Sequence, residues 1–154
     1  MKEAKKAAFS FEKYQIKKFA YDDASEDFGN SLSIGFHPSG VYFESSGKFV
    51  LSLKFEARLE SSQEGVEDHT LVKAELEASF IFQQGLPFNE IPSYFYRNSL
   101  GIVFPYLRAF ISTLTFQAAV HKPIVLPILN LVDLEMPFKE NTIIHDHNAS
   151  LDIH

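Results

Sequence analysis

Two stretches of the chain alternate strictly along their length, and this pattern constrains the fold more than any other feature of the sequence. Between Lys48 and Glu60, Phe, Leu and Ala fill every second position, and mostly charged or polar residues stand between them. The same pattern returns between Val72 and Phe80, after a polar loop at 61–70. A period of two residues is that of a strand with one buried and one wet face, so we predict an antiparallel hairpin. The pattern does not fix the register of the pairing.

Two further strands are expected before the hairpin. The alternation in Phe9–Tyr21 changes phase, which is typical of a bulged or bent strand. An acidic loop, Asp22–Asn30, follows. The apolar residues of Leu32–Phe36 then alternate with Ser and Gly, His37–Gly40 is expected to break this strand, and Val41–Phe43 is expected to resume it.

After the hairpin, the period changes to that of a helix. We predict a short helix from Asn89 to Arg97, a break at Asn98–Ser99, and then a long helix with Pro105 in its first turn. Two apolar stripes run along the long helix: Phe104, Leu107, Ile111, Leu114 and Ala118, with Val103, Tyr106 and Phe110 beside them. A helix this apolar needs a second cover besides the sheet, which favours a dimer or larger assembly.

The end of the chain is expected to be irregular. Two prolines make Ile124–Leu131 an extended apolar segment, and Pro137 is expected to stop any helix that follows. We therefore predict one domain at 1–136 and a loosely ordered C-terminal tail at 137–154. The predicted fold class is α+β, with a four-stranded antiparallel sheet and one long helix, plus a short one, packed on one face.

Composition excludes several classes of protein. The chain has 154 residues, enough for one domain with its own core, and it has no cysteine for disulfides or thiolate metal sites. The net charge of −6 argues against nucleic acid as a partner. No apolar run approaches the roughly 20 residues of a membrane helix. The N-terminus has no long apolar segment typical of a signal peptide, so a cytoplasmic protein without membrane insertion is expected.

No motif for catalysis or cofactor binding stands out. The chain has no Gly-rich phosphate loop and no dinucleotide-binding spacing, so we predict neither an enzyme nor a cofactor. The segment His145–His147 with His154 is the one candidate metal cluster, but an exposed tail explains it better and no metal is expected. His37 with Asp22 and Asp23 is a candidate acid–base set, and a simple loop histidine is the favoured interpretation.

Two further features have alternative interpretations. Arg108, within the apolar helix, is expected to form an ion pair at a helix or subunit contact, and capture of a client carboxylate is the alternative. The 16 Phe and 6 Tyr exceed what a small core obviously needs. Most are assigned to the core, and the alternative is an apolar groove lined by Phe28, Leu32, Ile34, Phe36 and the Ile124–Leu134 segment.

The long helix resembles a known family. Gly101–Leu114 contains Phe-Pro-Tyr-x-Arg followed by Ile and a small hydroxyl residue, which resembles the signature helix of SecB-type protein-export chaperones. The resemblance covers roughly Phe9 to Leu134, and its strand part is less specific than its helix part. The matching positions are Phe104, Pro105, Tyr106, Arg108, Ile111 and Ser112 in the helix, and Pro123, Leu126, Pro127, Asn130 and Leu131 after it.

The chain also departs from the family pattern. Ala109 stands where the family usually has Glu, and the segment before Pro123 is longer and lacks the family's Gly. The family's further C-terminal helix is not expected here because of Pro137. Acidic positions that dock the SecA motor fall near Asp22 and Glu75, while a third falls on Lys18 and reverses its charge.

The resemblance implies an ATP-independent holdase that binds unfolded or preprotein polypeptides, with a role in protein export and possible docking of SecA at Asp22 and Glu75. It also implies a dimer or a dimer of dimers. The implied client groove consists of Phe28, Leu32, Ile34, Phe36, Leu131 and Leu134. The implied helix core and oligomer interface consists of Phe104, Tyr106, Arg108 and Phe110.

Two other functions are compatible with the sequence. One is an adaptor or chaperone on the same fold that serves a single partner, for example one linked to a toxin–antitoxin pair. The other is a small-ligand or enzymatic α+β domain, which needs an enclosed pocket with converging polar groups that the sequence does not indicate.

Overall fold

A single mixed sheet forms the centre of the computed structural model, which describes residues 8–23, 28–61, 63–118, 124–126 and 130–145. The first four strands pair antiparallel, and β5 pairs parallel to β2. The prediction of four antiparallel strands is therefore wrong by one parallel strand at the edge. In the order β1-β4-β3-β2-β5, the strands are β1 Ser10–Tyr21, β2 Phe28–Phe43, β3 Lys48–Ser61, β4 His69–Ile81 and β5 Thr142–His145.

The alternating hairpin is confirmed. In β3, Leu51 and Leu53 are fully buried, whereas Lys54 between the apolar positions is exposed. The register places Lys54 opposite Glu75 of β4. The phase change in β1 is also confirmed, because two register shifts interrupt its pairing with β4. One face of the sheet, the helix face, thus collects the apolar side chains, and the opposite or open face collects the charged ones.

Two helices lie on the helix face. They are α1, Tyr94–Gln117, which follows a short 3₁₀ turn at Phe88–Glu90, and α2, Val132–Glu140. The predicted break at Asn98–Ser99 is wrong, because Ser99 is fully buried and its hydroxyl donates to the Tyr96 carbonyl. Pro105 consequently lies inside α1 rather than in its first turn.

A cluster of aromatic rings joins α1 to the sheet. The fully buried ring of Phe95 lies 4.7 Å from Phe49, 4.9 Å from Phe82, 4.9 Å from Phe9 and 5.5 Å from Phe80, centroid to centroid. Several of these pairs meet edge to face, the arrangement that aromatic quadrupoles favour. Much of the surplus of Phe in the sequence is therefore core.

Strand β2 continues through the predicted break at His37–Gly40. Pro38 lies opposite Leu53 of β3, and β5 pairs only with Gly40–Phe43. On its other side, Pro38 meets no strand in the described part of the chain. Proline is tolerated there because a free sheet edge requires no N–H donor.

The segment from Pro137 onward is more ordered than expected up to His145. Pro137 lies inside α2, and the next residue, Phe138, is fully buried against Phe49, Phe95 and Tyr96. This packing holds the last turn of α2 despite the proline. The backbone carbonyl of Asn141 then accepts a hydrogen bond from the Gly40 amide, and β5 begins at the next residue. Residues 146–154 of the predicted tail lie outside the described residues.

Helix α1 satisfies the length and composition criteria for a membrane-spanning helix, contrary to the sequence-based expectation. It has 24 residues and a mean hydropathy of 1.3 over its most apolar window. Its apolar character has another explanation in this fold, because Leu100, Val103, Leu107 and Ile111 are fully buried in the core. A core helix of this kind meets the same criteria.

Replacement of Phe138 tests whether α2 is an integral part of the fold. Phe138→Ala removes a fully buried ring, and we expect it to lower the free energy of unfolding by about 3–5 kcal/mol in urea denaturation. Met136→Ala, on the same helix but 60% exposed, is the matched control with an expected change under about 0.5 kcal/mol. Equal effects of the two substitutions would mean that α2 does not pack as described.

Candidate functional site

Apolar side chains remain exposed along the free part of β2. Leu32, Ile34 and Phe36, here called the β2 rim, lie on the helix face, where Ile34 pairs with buried Ala57 and Phe36 with buried Phe55. Leu32 is nevertheless 39% exposed and Ile34 36% exposed. No strand covers this part of β2 within the described residues, so its apolar side chains face an uncovered border of the core.

Phe36 connects the rim to α1. Its ring lies 5.3 Å from that of Phe55 on β3 and 5.6 Å from that of Phe104 on α1. Phe104 itself is buried. Phe36 therefore belongs both to the predicted groove and to the packing that holds α1 on the sheet.

The start of α2 lies against the same side of α1. Glu135 accepts a hydrogen bond from Arg97 at 3.0 Å, and a Cβ placed on Gly101 would lie 3.8 Å from Cδ1 of Leu131. Arg97, Gly101 and Phe104 recur at helical spacing and so share one side of α1. The structure thus brings Phe36 and Leu131 to one side of α1, and we call the surface formed by the β2 rim, Phe104 and Leu131 the candidate groove.

The remaining predicted groove residues have different placements. Leu134 is half-buried and packs against the core, so only part of its side chain is available. Phe28 begins β2, but its side chain lies outside what the structure describes. Ile124 and Leu126 are buried, and the Ile124 amide donates to the Thr115 hydroxyl of α1, which ties this segment to the helix.

Arg108 is half-buried one turn beyond Phe104, on the same side of α1. It makes no hydrogen bond and no ion pair with any described residue. Both interpretations of this arginine, an ion pair at a subunit contact and capture of a client carboxylate, require a partner from outside the described chain.

The other side of α1 packs against β1. The ring of Tyr106 stacks on Tyr14 at 4.2 Å, and Phe110 meets Phe19 edge to face at 5.4 Å. Tyr106 is 41% exposed, so it lies at the border of the core rather than within it. Among the predicted core and interface residues, Phe104 is the one that is buried in the single chain, while Tyr106, Arg108 and Phe110 keep exposed area.

The predicted motor-docking residues do not form a continuous acidic surface. Glu75 lies on the open face between Lys18 of β1 and Lys54 of β3, and it accepts a hydrogen bond from Ser52. Asp22 lies beyond the end of β1, where its backbone carbonyl meets His69 Nε2 at 2.7 Å. Lysines on both neighbouring strands therefore flank Glu75, and Asp22 lies beyond the strand.

The candidate catalytic and metal residues are likewise placed apart. Nε2 of His37 lies 3.5 Å from Glu56, so its acidic neighbour is not Asp22 or Asp23. Burial alone raises the pKa of Glu56, but hydrogen bonds from Arg58 and His37 outweigh it and leave that pKa below its usual value. His145 stacks on Phe43 at the end of β5, and Asp146, His147 and His154 lie outside the described residues.

Comparison with known proteins supports the fold. No family model and no curated protein matches the sequence. Among solved structures, the chain is similar to the Mycobacterium tuberculosis SecB-like chaperone Rv1957, in complex with a ChAD peptide from the HigA1 antitoxin Rv1956. The TM-score is 0.61 with 19% sequence identity, over 79% of this chain and 91% of that chain. The chain has a SecB-like fold.

Two features of this SecB-like fold were not predicted from the sequence. Helix α2 and strand β5 cover the end of β2. This arrangement depends on the parallel pairing of β5 with β2, which no local sequence pattern indicates. The arrangement of lysines on the open face depends on the strand register, which the alternation left undetermined. The alternation did, however, assign Lys54 and Glu75 to the face away from the helix.

Two substitutions separate the structural from the exposed part of the β2 rim. Phe36→Ala loses ring contacts with Phe55 and Phe104, and we expect the free energy of unfolding to fall by about 1–2 kcal/mol because the ring is half-buried. Leu32→Ala removes a more exposed side chain and is expected to cost under about 1 kcal/mol. Urea denaturation measures both, and a larger cost at Leu32 would contradict the described packing.

Proposed function

We propose that this SecB-like chain is an ATP-independent chaperone that holds unfolded polypeptide segments along the candidate groove. The observation that carries the proposal is the exposure of Leu32 and Ile34 beside the buried ring of Phe104. A client that laid apolar side chains on this rim would extend an existing core and exclude water from both surfaces. The proposal includes no catalytic step and no cofactor, and it takes the cytoplasm as the place of action.

Weak contacts repeated over several sites fit this role. Full burial of one aliphatic or aromatic side chain gains about 1.5–3 kcal/mol, and ordering of an unfolded client offsets much of that gain. Several grooves in one assembly would therefore be needed for tight binding of one long client. Such binding depends on apolar content rather than on a defined sequence.

The outward side of α1 supports a homo-oligomer, as a dimer or a dimer of dimers. Pro105 and Ala109 are exposed there, and neither carries a charge. Small residues allow another backbone to approach closely, and Phe116, 71% exposed at the end of the helix, adds apolar area. In this proposal a second copy of the chain provides the cover that the apolar helix requires, and it is also the source of a partner for Arg108.

A chaperone dedicated to one partner is the alternative. The structurally similar mycobacterial protein is in complex with a peptide from an antitoxin. This similarity favours a role in which the present chain recognises one segment of one protein. The same groove would then bind a defined sequence and ignore other unfolded chains. Docking to SecA has less support, since Lys18 and Lys54 flank Glu75 on the face where acidic docking residues are expected.

Substitution of the exposed rim residues tests client binding directly. In Leu32→Ser/Ile34→Ser, we expect affinity for a permanently unfolded polypeptide to fall about 30-fold, since each residue contributes about 1 kcal/mol. Isothermal titration calorimetry with a reduced, carboxymethylated protein measures the affinity.

The matched control is Val66→Ser/Ile143→Ser, which alters two residues that are 48% and 62% exposed and lie outside the groove. The groove assignment fails if both double variants bind the client as the unsubstituted chain does. Binding of a single natural partner without binding of generic clients, lost in the rim variant, would select the dedicated chaperone.

A charge on the outward side of α1 tests the assembly. Ala109→Arg places a cation on the uncharged outer surface, and we expect light scattering after size-exclusion chromatography to show a smaller assembly than the unsubstituted chain gives. Ala20→Arg, an exposed alanine of β1, is the control for charge alone. If the unsubstituted chain is monomeric at all concentrations, the proposal that a second copy of the chain covers α1 is wrong.

A further inference from the structure

The open face of the sheet, opposite the candidate groove, contains a basic concavity of about 670 Å³. All four long strands contribute to it, in two neighbouring rows of paired residues. One row is His37, Lys54, Glu75 and Lys18, and the next is Gly35, Glu56, Lys73 and Ala20. Gly35 and Ala20 end the second row, and the side chains of His37 and Glu56 lie over Gly35.

The bulge in β1 adds to the positive charge. The register shift between Ile16 and Lys18 inserts Lys17 as an extra residue, so two consecutive lysines line the concavity. With Lys54 and Lys73, four lysines face Glu56 and Glu75, a net charge of +2 from 4 − 2 with His37 neutral. The whole chain carries −6, so this surface has the opposite sign to the molecule.

Three of these lysines have no ion-pair partner among the described residues. Lys17 pairs with Glu77 at 3.5 Å, and Glu56 is already held by Arg58 at 2.7 Å and by His37. Within the described ranges, Lys18, Lys54 and Lys73 are exposed and form no ion pair. Glu75, which lies between Lys18 and Lys54, cannot neutralise three cations.

We propose that this concavity, here called the basic basin, docks an extended, carboxylate-rich polypeptide segment of a partner protein. Lys73 lies roughly 7–8 Å diagonally from both Lys54 and Lys18, across neighbouring strands. Carboxylates at alternate positions of an extended chain point the same way and lie roughly 6.6 Å apart. The spacing of the acidic side chains therefore fits the spacing of the lysines.

Other anions fit the basic basin less well. A single phosphate occupies a small part of 670 Å³, and Glu75 lies between the lysines that it would have to gather. Nucleic acid carries a dense phosphate charge along its whole length, and four lysines around two glutamates provide too small a basic surface for it. The basin also lies on the opposite face from the candidate groove, so this proposal does not depend on the proposed chaperone function.

Binding of defined peptides to the full chain tests the proposal. The probe is a fluorescein-labelled peptide of four Glu-Ala repeats, followed by fluorescence anisotropy, and the reference is the same peptide with Gln for Glu. We expect the Glu peptide to bind, the Gln peptide not to bind, and added salt to weaken binding. Lys54→Gln/Lys73→Gln is expected to weaken binding at least about tenfold.

The control variant, Lys13→Gln/Lys139→Gln, removes the same charge from exposed lysines outside the basin and should bind within about twofold of the unsubstituted chain. Equal weakening in both variants would overturn the proposal in favour of diffuse attraction. Competition by inorganic pyrophosphate, at a concentration equal to the Kd of the Glu peptide, would overturn the proposal in favour of a small-anion site. Failure of the Glu peptide to bind the unsubstituted chain would also overturn it. Unfolded-client binding should survive in the basin variant, which separates the two proposals.

Discussion

The packing of Phe95 against Phe49 and Phe80 determines where α1 lies on the sheet, and the exposure of the apolar border of β2 depends on that position. These rings are fully buried at the start of the helix. From this anchor, α1 extends so that Phe104 reaches Phe36 of β2 and Phe110 reaches Phe19 of β1. The helix thus covers the centre of the sheet and leaves the apolar border of β2 exposed.

The two faces of the sheet follow from the period of two in its strands. Apolar side chains on the helix face form the core and, at Leu32 and Ile34, the exposed rim. Charged side chains of both signs occupy the open face, and the bulge before Lys18 adds a lysine to it. One chain therefore offers an apolar surface and a basic surface on opposite sides, and neither surface needs the other to be occupied.

The sequence predicts local features well and pairing between distant segments poorly. The alternation of apolar and polar residues, as around Leu51 and Leu53, is sufficient to predict strands β3 and β4, since a buried side chain recurs at every second position of each strand. Pro38 and Pro137 misled the prediction because their tolerance depends on neighbours: a free edge in one case and the buried ring of Phe138 in the other. Strand β5 has four residues and a parallel partner a hundred positions away, so no local pattern indicates it.

The central claim is that unfolded clients bind to the rim of β2 and not to the open face. Photo-crosslinking tests it most directly, with p-benzoylphenylalanine in place of Ile34 in one variant and of Lys54 in another. Ile34 lies on the helix face and Lys54 on the open face of the same sheet. The account predicts covalent capture of an unfolded apolar client from position 34 and little from position 54. Capture from position 54 without capture from position 34 would contradict it.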